Sequence, residues 1–262
     1  MLEEILGKIF VNQWAVFLIV TALLLGLAHA GYRSGFTFRR KNPEAAENHS
    51  GSVQGAVLGL LGLLLGFSFA MAVGRYDTRR SLIVEEANSI GTTWLRADFL
   101  PDPHQTEEKK LLKHYVDLKL EEFKAADDAV LMARVRKEVA QVHQSLWSHA
   151  DAATLEKPSP VTVSFITSLN ETIDLDASRK AASGNHVPGV VWLLLLVVAG
   201  CGAWASGYGS GTGGLRSTFN QYVFPTLIGI VITLIADIDR PTKGLIGTNQ
   251  QPLQDLLEGM SD

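Results

Sequence analysis

The 262-residue chain has a single cysteine, Cys201. That excludes an intrachain disulfide and any metal site built on a cysteine cluster, and it leaves the redox compartment open. A basic excess is also missing. There are 23 Lys and Arg against 27 Asp and Glu, for a net charge of -4, so no nucleic-acid surface is indicated. Catalytic signatures are absent too. His29, His49, His104, His114, His143, His149 and His186 form no HExxH and no ligand spacing with the cysteine. His143 with Glu138, and His114 with Asp117, are ordinary helix-surface neighbours. No Gly-x-Ser-x-Gly elbow occurs, and no Gly-Lys-Ser/Thr follows a glycine-rich turn. The chain is not read as an enzyme, and no cofactor or metal is expected.

Charge is missing locally as well. Trp14–Ala30, Val53–Val73, Val187–Ala205 and Tyr222–Ala236 contain no Asp, Glu, Lys or Arg. A membrane-spanning helix needs about 20 mostly apolar residues, since the hydrocarbon core is about 30 Å thick. All four stretches are read as spans. Pro188 is placed to start the third. The fourth is short and would sit untilted or thin the bilayer. Ala28-His29-Ala30 has the small-residue pattern of a signal-peptidase site. The segment before it carries Glu3 and Glu4 against Lys8, the wrong charge for a signal peptide, so it is read as a span.

Charge gathers instead in residues 75–186. Leu82, Ile83, Ala87, Ile90, Trp94 and Leu95 keep helical spacing, so the second span is expected to run on into this polar part. Pro101-Asp102-Pro103 should stop it. Apolar stripes then predict amphipathic helices over 104–125, 128–155 and 161–182, broken at Pro158-Ser159-Pro160. The charges sit mostly opposite those stripes, as on a solvated face. No stretch alternates with period two for long enough to form a strand. The fold class is an all-α integral membrane protein. Residues 1–74 hold the first helix pair, 75–186 a helical water-soluble domain, 187–240 the second pair, and 241–262 a tail. The 206–214 segment SGYGSGTGG is read as a flexible hairpin. A Gly-Tyr-Gly occurs in potassium filters, but no re-entrant helix fits before this one.

Lys and Arg near the span ends indicate orientation. One side would hold Arg33, Arg39, Arg40, Lys41 and Arg216. The other would hold Lys8, Arg75, Arg79, Arg80, Arg179, Lys180, Arg240 and Lys243. The excess places both termini and the polar domain in the cytoplasm.

The second span carries the densest pattern. Gly55, Gly59, Gly62, Gly66, Ala70 and Val73 fall within about 80° of one another at 100° per residue. Gly55/Gly59 and Gly62/Gly66 are GxxxG pairs, which let helices approach closely within a subunit or between subunits. Gly59, Leu63 and Phe67 form an adjoining stripe, either a hydrophobic constriction or ordinary lipid-facing residues. Asp237 and Asp239 end the fourth span. They either face water with Arg240 as partner or mark function at membrane depth. Glu85 and Glu86 follow Arg79 and Arg80 and suggest an interhelix or intersubunit ion-pair network, or a selectivity ring.

The stretch LLLGFSFAMAVGRYDTRRSLIVEEAN resembles the pore helix of bestrophin anion channels, with Gly66-Phe67 and Arg75-Tyr76 at matching spacing. The whole chain resembles the bacterial bestrophin-like domain family. The likeness rests on the Arg-Tyr pair, EEANSIGTTWLRADFLP, Ser168-Leu169-Asn170-Glu171, DIDRPTKGLI and QQPL. The resemblance implies four spans per subunit, a homo-oligomer (a pentamer) in the bacterial inner membrane, and a path for small anions along the second span. Carried over by position, Gly59, Leu63 and Phe67 would form the neck. Here Gly59 stands where the channels have a bulky residue and Leu63 where they have an aromatic, and no acidic calcium clasp is recognisable. The alternative is a non-conducting membrane scaffold whose helical domain binds a protein partner.

Overall fold

The computed structural model describes residues 13–44, 52–213, 219–240 and 245–260. Glu3, Glu4, Lys8, Arg216 and Lys243 lie outside the described residues. The described residues contain helices and no strand. In chain order the helices are α1 (Gln13–Lys41), α2 (Ser52–Ala97), α3 (His104–Lys124), α4 (Ala129–Glu156), α5 (Pro160–Ser183), α6 (Gly189–Gly213), α7 (Phe224–Asp239) and α8 (Gln251–Gly259). Among the described residues, four helices are long and apolar enough to cross a membrane: Gln13–Lys41, Val53–Ala97, Gly189–Gly213 and Gln221–Asp239. The chain divides into two compact units, residues 1–74 with 186–246, and 75–185 with 247–262.

In the first unit, Leu24, Ala28, Leu61, Leu195, Ala199, Ala203, Ile228 and Ile232 form the core. The closest packing joins α1 to α6. A Cβ built on Gly31 would strike the Trp204 carbonyl, and one on Gly35 the Tyr208 carbonyl. From the other side, a Cβ on Gly207 would strike the Ala28 carbonyl, and one on Gly211 the Tyr32 carbonyl. Glycine alone allows backbone to meet backbone here, the small-residue packing that holds helices together in lipid. This corrects the reading of 206–214 as a hairpin. Ser206–Gly213 is the last part of α6, because close contact with α1 outweighs the poor helix propensity of its glycines. Ala28-His29-Ala30 lies in mid-helix, with Ala28 fully buried.

The fourth span is longer than its apolar run suggests. A π-helical turn, Phe219–Val223, precedes α7, and the 19 residues Gln221–Asp239 rise about 28 Å at 1.5 Å each. That comes close to the hydrocarbon thickness of about 30 Å when the helix stands untilted.

The second unit is a helical bundle whose breaks follow local chemistry. Asp128 caps α4, its carboxylate accepting from the Val130 and Leu131 amides at 2.9 and 3.0 Å. Ser159 and Thr162 form a capping box at the start of α5, with Pro160 in its first turn. The core holds Ile83, Ile90, Leu112, Tyr115, Val135, Leu146, Phe165, Leu169 and Leu253. Leu253 belongs to α8, so the C-terminal segment is part of this bundle. Leu256 lies 3.2 Å from where a Gly91 Cβ would stand. The charges are not all on a solvated face. Glu86 and Glu108 are fully buried and Lys119 is 3% exposed.

Candidate functional site

The second span has two contrasting faces. Within the first unit, Val57, Leu58 and Leu61 of α2 approach Gly202 of α6, 3.8, 3.4 and 3.5 Å from an added Cβ. Leu61, Ser68 and Ala72 are buried along the same face. At 100° per residue, the glycine stripe lies on roughly the opposite side of the helix. Gly55, Gly59, Gly62 and Gly66 are exposed, and a Cβ on any of them would meet nothing within 4 Å. Leu63 is 54% and Phe67 63% exposed on the adjoining stripe. The glycines that meet the backbone of a facing helix are instead Gly31 and Gly35 of α1 and Gly207 and Gly211 of α6. Gly31/Gly35 and Gly207/Gly211 also have GxxxG spacing, and that was the available signal.

Past Val73, α2 enters a charged cluster. Arg75 donates from Nη1 to the Asn185 side-chain oxygen. Arg79 is buried and Glu85 exposed. Glu86 is fully buried and does not pair in sequence order. It accepts from the Tyr115 hydroxyl of α3 at 2.6 Å and from Arg179 of α5, and it lies 3.9 Å from Lys119 Nζ. Lys119 Nζ also reaches Asp176 at 2.5 Å and Glu122 at 2.6 Å. Arg136 of α4 donates from Nε to Glu122 at 3.1 Å.

Burial alone would lower the Lys119 pKa, but Glu86 and Asp176 outweigh it and the ammonium is held above its usual value. Burial pushes Glu122 up, yet Lys119 and Arg136 hold it below the usual carboxylate range. Tyr115 is raised, first by burial and then by Glu86. His143, whose ring centroid lies 5.0 Å from that of Tyr115, is lowered by burial. It shares a small cavity with Glu122, Arg136, Asp176 and Lys180. Glu86, Glu122 and Asp176 each face a cation, and these pairs tie α2, α3, α4 and α5 together. Glu108 is different. It is buried, both its oxygens lack a hydrogen bond, and burial pushes its pKa up to about 8.

Asp237 and Asp239 do not face water. They are 4% and 7% exposed. Asp237 accepts from the Leu245 and Ile246 amides, both at 3.1 Å. Asp239 accepts from the Val187 amide at 3.0 Å and lies 3.6 Å from His186. Both carboxylates satisfy backbone amides of the connecting segments, Val187 just before α6 and Leu245 and Ile246 after α7, which no helix pairs. The Arg240 amide bonds back to the Asp237 carbonyl at 3.2 Å. No group of three His, Cys, Asp or Glu suited to a metal occurs among the described residues.

The Bestrophin-like domain profile matches residues 15–253. A search of curated proteins gives no match. Among solved structures, variants of a bacterial bestrophin homologue from Klebsiella pneumoniae share the fold. One superposes with TM-score 0.67 at 12% identity, covering 93% of this chain and 96% of the other. A second gives 0.67 at 11% identity over 94% and 99%. A third gives 0.65 at 14% identity over 92% and 96%. With the profile matched along nearly its whole length, the chain belongs to the bestrophin-like family.

Proposed function

We propose that the chain assembles into a homo-oligomeric ring, a pentamer by its likeness to bestrophins, around a pore for small anions lined by the second span. The observation that carries this reading is the unfilled glycine face of α2. Gly55, Gly59, Gly62 and Gly66 lie open along one side of a helix that is packed on the other. Each glycine in a helix costs about 1 kcal/mol against alanine, and close approach of another helix would recover that cost. Among the described residues no helix approaches there, so the partner helix would come from a neighbouring copy. Phe67 and Leu63 would then stand at the narrowest point, with Gly59 and Gly66 beside them, as a hydrophobic constriction. Glu85 is the exposed acid of the Glu85–Glu86 pair and the one a passing ion would meet. The protein would sit in the bacterial inner membrane with its charged bundle and both termini in the cytoplasm. A reporter fused after Asp262 tests that orientation.

A second reading, a non-conducting scaffold, draws on Leu95, Val130 and Leu155 of the charged bundle, which are 66%, 81% and 76% exposed and would meet a protein partner. Purified protein in liposomes decides between the two. Conduction predicts halide or bicarbonate flux that rises in Phe67→Ala. If neither wild type nor Phe67→Ala passes either ion, the pore reading fails. A monomer by mass in detergent would remove the ring.

A further inference from the structure

His104 and His149 are 45 residues apart, and the fold brings them face to face. His104 is the first residue of α3, and His149 lies near the end of α4. Their Nδ1 atoms are 3.3 Å apart. The ring centroids are 5.6 Å apart, with the planes at 62°. The His104 side chain is 14% exposed, and its far nitrogen, Nε2, lies 3.5 Å from Glu156 Oε2. Neither histidine belongs to the charged cluster or to a spanning helix.

We propose that His104 and His149 form a binding site for a divalent transition-metal ion of the zinc class. Zinc binds imidazole nitrogen at about 2.0–2.1 Å in tetrahedral geometry, which sets two ligand nitrogens about 3.3 Å apart. The pair already stands at that separation. Glu156 completes the logic. A carboxylate near the distal nitrogen favours the proton on Nε2, which leaves the Nδ1 lone pair for the metal, and such partners are typical of metal-bound histidine. The ion would take the place of the proton shared between the two Nδ1 atoms. Imidazole favours zinc, copper or nickel over magnesium or calcium. No third protein ligand stands in reach among the described residues, so water fills the remaining positions. A bound ion would pin the start of α3 to the end of α4.

The test uses tag-free, full-length protein in detergent, stripped with EDTA and titrated with zinc chloride against a chromophoric chelator. One zinc per chain is expected in wild type. His104→Ala and His149→Ala should abolish binding while keeping wild-type helicity by circular dichroism. Glu156→Gln should weaken it by about 10–100-fold. X-ray absorption at the zinc edge of the wild-type complex should show two imidazole nitrogens, a readout that does not depend on any variant folding. The proposal is overturned if wild type takes up no zinc, if both histidine variants bind as wild type does, or if the absorption spectrum shows fewer than two imidazoles.

Discussion

Gly31 and Gly26 lie on the same helix, five residues apart, and should respond to the same substitution in opposite directions. Both are inside α1. In each, Gly→Ala removes a poor helix former and should gain about 0.8–1 kcal/mol from propensity. At Gly26 nothing else changes, since a Cβ there meets nothing within 4 Å. At Gly31 the new Cβ strikes the Trp204 carbonyl oxygen and comes within 2.9 Å of its carbon and 3.1 Å of Trp204 Cα. These are backbone atoms of α6, so no side chain can turn aside and the two helices must part. Overpacking of this kind costs about 1–3 kcal/mol, and the rigid obstacle puts Gly31 toward the upper end. Net of propensity, Gly31→Ala should lose about 1–2 kcal/mol. Gly26→Ala should gain up to about 1 kcal/mol. The gap of about 2–3 kcal/mol is well outside the error of unfolding in mixed SDS micelles followed by far-UV circular dichroism. Gly207→Ala, which meets Ala28 from the other side, should behave like Gly31→Ala. Equal stability of Gly31→Ala and Gly26→Ala would refute the claim that α1 and α6 touch through these glycines.

Why that contact was not legible in the sequence is a matter of what local signals encode. Breakers and stripes are local. Pro101-Asp102-Pro103 and the apolar repeat predict a helix over 104–125, and His104–Lys124 is observed. The repeat over 128–155 corresponds to Ala129–Glu156, because Asp128 caps its own chain. Glycine spacing is different. It marks where a helix could be approached but not by what. The paired glycines of α2 sit in an apolar run, yet a Cβ on any of them meets nothing within 4 Å among the described residues. Gly31 and Gly35 are separated by Tyr32, Arg33 and Ser34, and polar residues hid their spacing. Summed glycine propensity predicts a flexible hairpin over 206–214 because it ignores a partner helix. The charged cluster is hidden in the sequence for a related reason. Lys119 stands between Leu118 and Leu120 in sequence, and its three carboxylates come from α2, α3 and α5. An i to i+4 rule can propose neighbours on one helix. It cannot see that Glu86 finds Arg179 across 93 residues.

Two further perturbations test the bundle itself. Lys119→Met removes the cation that Glu86, Glu122 and Asp176 share. Breaking a buried ion pair from one side costs about 3–5 kcal/mol, so a loss under about 1 kcal/mol in chemical denaturation would show that the cluster is not held together by this charge. Glu108 tests the reverse case, a buried acid whose two oxygens have no hydrogen-bond partner among the described residues. Its pKa rises from 4.5 to about 8 on folding. Between those values the unfolded chain has released the proton and the folded chain still holds it. Wild-type stability should therefore fall as pH rises across that window, by about 1.4 kcal/mol per unit from this group. Glu108→Gln keeps the shape without the titration, so its stability should overtake wild type increasingly from pH 5 to pH 8. Only the difference between the two proteins matters, since other titrating groups cancel in it. A difference that stays constant over that range would mean that Glu108 is ionised in the fold and has a partner or water that its two unbonded oxygens do not reveal.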